Sequence, residues 1–247
     1  MRSLFVVLGI VAGAAGICRA DTIQATFQSV DYGGTLVTVT LNPVPGGSPY
    51  QVTGIAGEYH WQEVAGSSPI LGNNGSFDTF CVEITQDINF NEPPYTYTTT
   101  DPLSLAPEPG DGFGPMGVLK ADLIRELWFA DIDSVVDAPT AATFQYAVWD
   151  IIYGTSLHVD AANQGLLNSA EGLVGALDPT GNGPQSNLIA LTSNGANGAQ
   201  DQVTGASLSP NVPPVPLPST VSATAALLGL LGAWSTLRRR IGPVSVC

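Results

Sequence analysis

Thr22-Ile23-Gln24-Ala25-Thr26-Phe27, then Asp31-Tyr32-Gly33-Gly34, then Leu36-Val37-Thr38-Val39-Thr40-Leu41 sets two alternating runs on either side of a cluster of turn formers. Apolar and polar residues that alternate with period two line opposite faces of a strand, so this stretch predicts a β-hairpin with one buried face. Alternation returns at Gly57 to Val64, Phe77 to Thr85 and Tyr95 to Thr99, each bounded by Pro, Gly or Asn. No crossover helix separates these runs, so the expected pairing is antiparallel.

The period then changes. Val118, Leu119, Leu123, Ile124, Leu127 and Trp128 recur at helical spacing, and Thr140 to Tyr153 follows with Pro139 in its first turn and Gly154 as a stop. A third helical piece, Ala161 to Leu177, is interrupted by glycines, and Leu188 to Thr192 and Gln200 to Thr204 read as closing strands. The expected class is therefore α+β and β-rich: an antiparallel β-sandwich or barrel, with a helical insertion at about residues 117–177 carrying Gln145.

The two ends speak of export. Arg2, the apolar run Leu4 to Ile17, and Ala20 after Cys18 and Arg19 form a secretory signal over residues 1–20, cleaved after Ala20. A lipid anchor on Cys18 is the rival, but Ile17 occupies the place where such signals carry a small residue. At the other end a proline-rich linker, residues 212–218, leads through Pro216, Pro218 and Ser219 into the uncharged stretch Val221 to Leu237, which stops at Arg238, Arg239 and Arg240. Seventeen residues just span a hydrocarbon core, and the arginines would hold its far end in the cytoplasm. This order of signature, apolar helix and arginine cluster resembles the PEP-CTERM sorting tail, which implies a membrane protease of the exosortase type and transient membrane anchoring by residues 219–247. Leu217 departs from it, standing where that signature carries Glu.

Between the ends, residues 21–211 form one domain of ample size for a core. Lys120 and Arg125 are its two basic residues against 21 acidic ones, a formal charge of −19. Such a surface repels phosphate backbones, so nucleic acid is not an expected partner.

The domain keeps a single cysteine, Cys81, and Gln145-Tyr146-Ala147-Val148-Trp149 follows sixty-four positions later. An unpaired thiol in an exported chain is buried and inert, joined to another chain, or chemically active. On a helix Gln145, Val148 and Trp149 share one face, while Cys81 lies in an alternating strand. If helix and strand meet, the thiol reaches the carboxamide carbon of Gln145, and loss of ammonia leaves an internal thioester. Phe80, Phe144, Tyr146 and Trp149 can keep water from the acyl carbon.

Phe80-Cys81-Val82-Glu83 and the Gln145 to Trp149 run resemble the thioester domains of bacterial surface adhesins, over roughly Phe77 to Gly154. The resemblance implies a Cys81 to Gln145 cross-link shielded by Phe80, Tyr146 and Trp149. It further implies a single-use covalent attachment, not turnover, to a lysine amine or hydroxyl on a host or matrix surface. Phe144 stands where that family carries Thr. No metal or cofactor is called for. The alternative is a noncatalytic structural or carbohydrate-binding biofilm matrix protein with a buried free cysteine.

Other residues carry weaker chemistry. His158 with Asp160 and Cys81 imitates a cysteine hydrolase only in composition, although His158 can be assigned proton transfer beside the thioester. Asp178 to Gly183 begins like a calcium loop but has Ile189 where a closing acid belongs. Tyr59, His60 and Trp61 would stack on sugars only if exposed together.

Overall fold

The structure, a computed structural model, describes residues 22–42, 48–64, 75–90, 92–100, 102–107, 115–193 and 199–205. All belong to one compact unit, Met1–Leu208. Ala20, the linker, Pro216, Pro218, Ser219, the 221–237 stretch and Arg238 to Arg240 lie outside the described residues.

Six antiparallel strands close a barrel in the order β1 (Thr22–Val30), β4 (Tyr59–Glu63), β5 (Ser76–Cys81), β9 (Gln202–Gly205), β8 (Leu188–Thr192), β6 (Tyr95–Thr100) and back to β1. A second sheet has the order β3 (Tyr50–Ala56), β2 (Thr35–Leu41), β7 (Leu157–Val159). Helices α1 (Gly117–Asp131), α2 (Ala138–Tyr153) and α3 (Gln164–Gly175) fall in sequence between β6 and β8. The fold is mixed helix and strand, with a closed antiparallel barrel. Among the described residues no helix is long and apolar enough to cross a membrane.

The opening stretch does not form the expected hairpin. Tyr32, Gly33 and Gly34 all take positive φ, and Asp31 N–H donates to Glu58 O instead of a β2 partner. The turn thus sends the chain out of the barrel, where β2 pairs with β3 and β7 while β1 pairs with β4 and β6. Two strands escaped the sequence reading. β3 has Gly54 in its interior and only Ala56 fully buried, and β7 is three residues long.

Alternation still places the core correctly. Ile23, Ala25, Phe27, Tyr59, Trp61, Phe77, Thr79, Tyr95 and Tyr97 are buried, and their intervening neighbours turn outward. Trp61 sits at the centre, edge-on to Tyr97 at 5.5 Å and to Tyr95 at 5.9 Å. Its indole N–H donates to Thr79 Oγ1 at 2.9 Å, and Thr79 donates to Gln202 Oε1 at 2.9 Å. This relay lets polar groups lie inside the barrel without losing their hydrogen bonds.

Candidate functional site around Cys81 and Gln145

Asp137 and Thr140 start α2 reciprocally: Thr140 N–H donates to Asp137 Oδ1, and Asp137 N–H donates to Thr140 Oγ1. The Thr140 N–H and then its hydroxyl, both donating to Asp137 Oδ1, hold the Asp137 carboxyl below the usual carboxylate range. Gly154, at φ 53, ends the helix as expected. From Phe144 to Trp149 every residue is buried, so α2 is a core helix rather than a surface one.

β5 stops at Cys81, short of the expected Thr85, because its partners change there. Register with β4 runs out at Tyr59 opposite Thr79, and Cys81 keeps only Gln202 of β9 as a strand neighbour. On the edge that β4 has left, Gln145 substitutes for a strand. Cys81 N–H donates to Gln145 Oε1 at 2.8 Å, and Gln145 Nε2 donates to Cys81 O at 2.8 Å. Two turns along α2, Tyr153 continues the work: its hydroxyl accepts from Ile84 N–H at 3.2 Å and donates to Val82 O at 3.3 Å. Val82 N–H donates to Asp201 O on the β9 side. Two side chains of one helix therefore extend the β5 ladder by side-chain pairing.

The structure thus brings Cys81 and Gln145 together, each fully buried. The thiol donates to Glu83 O at 2.7 Å. Burial pushes the Cys81 thiol far up, reinforced by the Glu83 and Asp201 carboxylates, while the Trp149 indole and the Glu83 backbone favour the thiolate. Phe80 faces away from the barrel interior and packs on Phe144 at 4.6 Å and edge-on to Trp128 at 5.7 Å. Tyr146 and Trp149 form an edge-on pair at 5.5 Å. Trp128, which sequence spacing had assigned only to the α1 core stripe, joins Phe80 and Phe144 in one ring cluster.

The other candidates lie apart. His158 is exposed on β7, opposite Thr40, and Asp160 is engaged by Asn163 instead. Neither meets Cys81 in any described contact. Asp178 Oδ1 accepts from Thr180 N–H and Oγ1–H in a turn that α1 ties down, Asp178 N–H donating to Glu126 Oε1. Tyr59 and Trp61 are buried while His60 points out, so no sugar platform forms.

Sequence reasoning missed the groups that set the site's electrostatics: Glu83, Asp201, Tyr59, Tyr97 and Tyr153 all interact with Cys81 or share its surroundings. Only Glu83, two residues on, had a visible signal. A second, wetter cluster also went unread. Asp31, His60 and Asp78 bring their ligating atoms within 4.8 Å of one another on the barrel exterior, and His60 Nδ1 lies 2.6 Å from Asp78 Oδ1. Beside them, partial burial and then the Asp78 and Asp31 charges push Glu58 up to about 7, with His60 opposing.

Comparison of the chain with protein families, with curated proteins and with solved structures finds no match in any of the three.

Proposed function

We propose that the chain is an exported surface or matrix protein whose Cys81 and Gln145 condense to an internal thioester for one covalent attachment. The observation that carries this reading is the hold on Gln145 by the backbone of Cys81 itself. The Cys81 N–H polarises the carboxamide carbonyl, and Cys81 O fixes the nitrogen that must leave. The sulfur attacks Cδ of Gln145, the C–N bond breaks, and the thiol proton departs with the nitrogen as ammonia. To do so the thiol turns away from Glu83 O. A lysine amine or a hydroxyl of a host or matrix partner then takes the acyl group and returns the thiol. No turnover follows, and neither metal nor cofactor takes part.

Residues 117–177 are then a helical insertion that delivers Gln145 to the barrel. The signal peptide, an exosortase-like protease and the 219–247 tail would place the domain on the cell surface or in extracellular polymer. Epitope tags before Val212 and after Cys247 test this destination. Both tags remaining with the inner membrane at full length would leave a plain anchor.

A second reading has its own support. The thiol is satisfied by Glu83 O, its pKa is raised, and the Gln145 amide is paired at both ends, as suits a structural matrix protein with a buried cysteine. Intact mass decides between them. A mature domain lighter by one ammonia, with the deficit abolished by Cys81→Ala, is the expected result; full mass with an alkylatable thiol upholds the structural reading.

A further inference from the structure

Two donors beside Cys81 are buried with no hydrogen-bond partner. They are the indole N–H of Trp149, a residue 4% exposed, and the hydroxyl of Tyr97, a residue 0% exposed. Core donors are almost always paired, because an orphan forfeits its water and gains nothing in return. Trp149 differs from Tyr97 in what it does to the sulfur. Its N–H favours a charged sulfur more than any other group there, whereas Tyr97 and Cys81 oppose each other's ionisation.

In the resting fold the thiol's own proton points to Glu83 O. A neutral thiol sulfur is a weak acceptor and takes little from an N–H; a thiolate is a strong one. The Trp149 N–H, unpartnered in the resting fold and one helical turn along α2 from Gln145, therefore gains an acceptor only as charge builds on sulfur, the property that separates a catalytic contact from a binding one. Among the described side chains, Glu83 and Asp201 oppose charge on the sulfur, and Tyr59, Tyr97 and Tyr153 do so once ionised. Among the described groups that influence Cys81 there is no cation.

We propose that the indole N–H of Trp149 is the donor that receives the charge developing on the Cys81 sulfur as its bond to the Gln145 acyl carbon is made or broken. The assignment rests on the thioester reading and gives Trp149 a role beyond shielding. On opening, an amine nitrogen attacks Cδ of Gln145, the C–S bond breaks with its electron pair on sulfur, and the amine proton ends on that sulfur. Trp149 donates a hydrogen bond throughout and keeps its own proton.

Trp149→Phe removes the N–H and keeps an aromatic wall, and Tyr97→Phe is its control. The Trp149→Phe protein should still show the ammonia deficit, react with methylamine about tenfold more slowly or worse, and release a thiol whose alkylation midpoint lies at higher pH. Tyr97→Phe should react as the native protein does. Opening as fast as native, or faster, in Trp149→Phe would reduce the residue to a water shield; slowing in Tyr97→Phe alone would move the role there. Should Trp149→Phe not fold, uniform replacement of the four tryptophans by 5-fluorotryptophan strengthens the N–H donor, and an unchanged opening rate overturns the assignment. If the native protein shows no mass deficit, the thioester reading falls alone. The donor is then read on the free thiol, where an alkylation midpoint unmoved by Trp149→Phe would remove it as well.

Discussion

Asp78 and Cys81 stand three residues apart on β5 and live under opposite rules. Asp78 is exposed on the barrel exterior, opposite His60, amid carboxylates that water partly screens. Cys81 is wholly buried at the strand's end, and its backbone, not its charge, makes the site. Outside, groups are gathered by strand register and tuned by their mutual repulsion; inside, they are held by directional hydrogen bonds that leave little freedom. The dry end therefore depends on geometry and the wet cluster on pH.

The largest expected effect strikes the dry end. Gln145→Ala strands the N–H and C=O of Cys81 and opens a hole, which should cost about 3–5 kcal/mol in urea denaturation at any pH. A loss under about 1 kcal/mol would mean that water replaces the carboxamide readily. Gln145→Glu is more telling, because a carboxylate accepts from Cys81 N–H but has nothing to donate to Cys81 O. Only its protonated form completes the pair. Its folded pKa is therefore raised, the variant should be most stable below the unfolded value of about 4.3, and that stability should fade as pH rises through the folded pKa.

The wet cluster should show its pH dependence without mutation. Glu58 titrates near 7 in the fold against an ordinary value of 4.5, so its contribution is intact below the latter and is lost as pH climbs through the former. Partial exposure weakens the effect to roughly 1–2 kcal/mol. Glu58→Gln should remove that part of the slope and leave the protein more stable than native at pH 8. Asp78→Asn should lower the Glu58 midpoint, measured by carboxyl NMR, by withdrawing the charge that most opposes it after burial.

The smallest expected change tests how the two regions connect. Asp137→Ala removes the α2 cap on the surface, a small loss of stability readable by thermal or urea melting. Because α2 positions Gln145 through packing along its buried length, the ammonia deficit should be unaffected. Loss of the deficit would mean that register at the helix start reaches the site.

What the sequence disclosed follows from how locally each feature is determined. Pro139 and Gly154 act through the dihedrals of their own neighbourhood, and the observed α2 ends at Tyr153 as they require. The meeting of Cys81 with Gln145 was legible through the resemblance carried by their two short motifs together, since neither segment alone says what it packs against. The hairpin of β1 with β2 was not a sound inference, because alternation tells which face is buried but not which strand lies alongside. The early end of β5 is equally nonlocal, set by where β4 runs out. Asp31, Glu58, His60 and Asp78 meet only through register across the turn, β4 and β5, and no one segment contains that information.

Around the six-membered ring, β9 stands three places from β1, so the first and last strands of the barrel lie on opposite sides of it. β9 is flanked by β5 and β8, both antiparallel to it. A force applied along β9 would cross ladders whose hydrogen bonds run perpendicular to it. Such bonds are loaded in shear and share the force, instead of opening one after another as in a peeled hairpin. β9, the last of the described strands, is also the one beside Cys81, through Gln202.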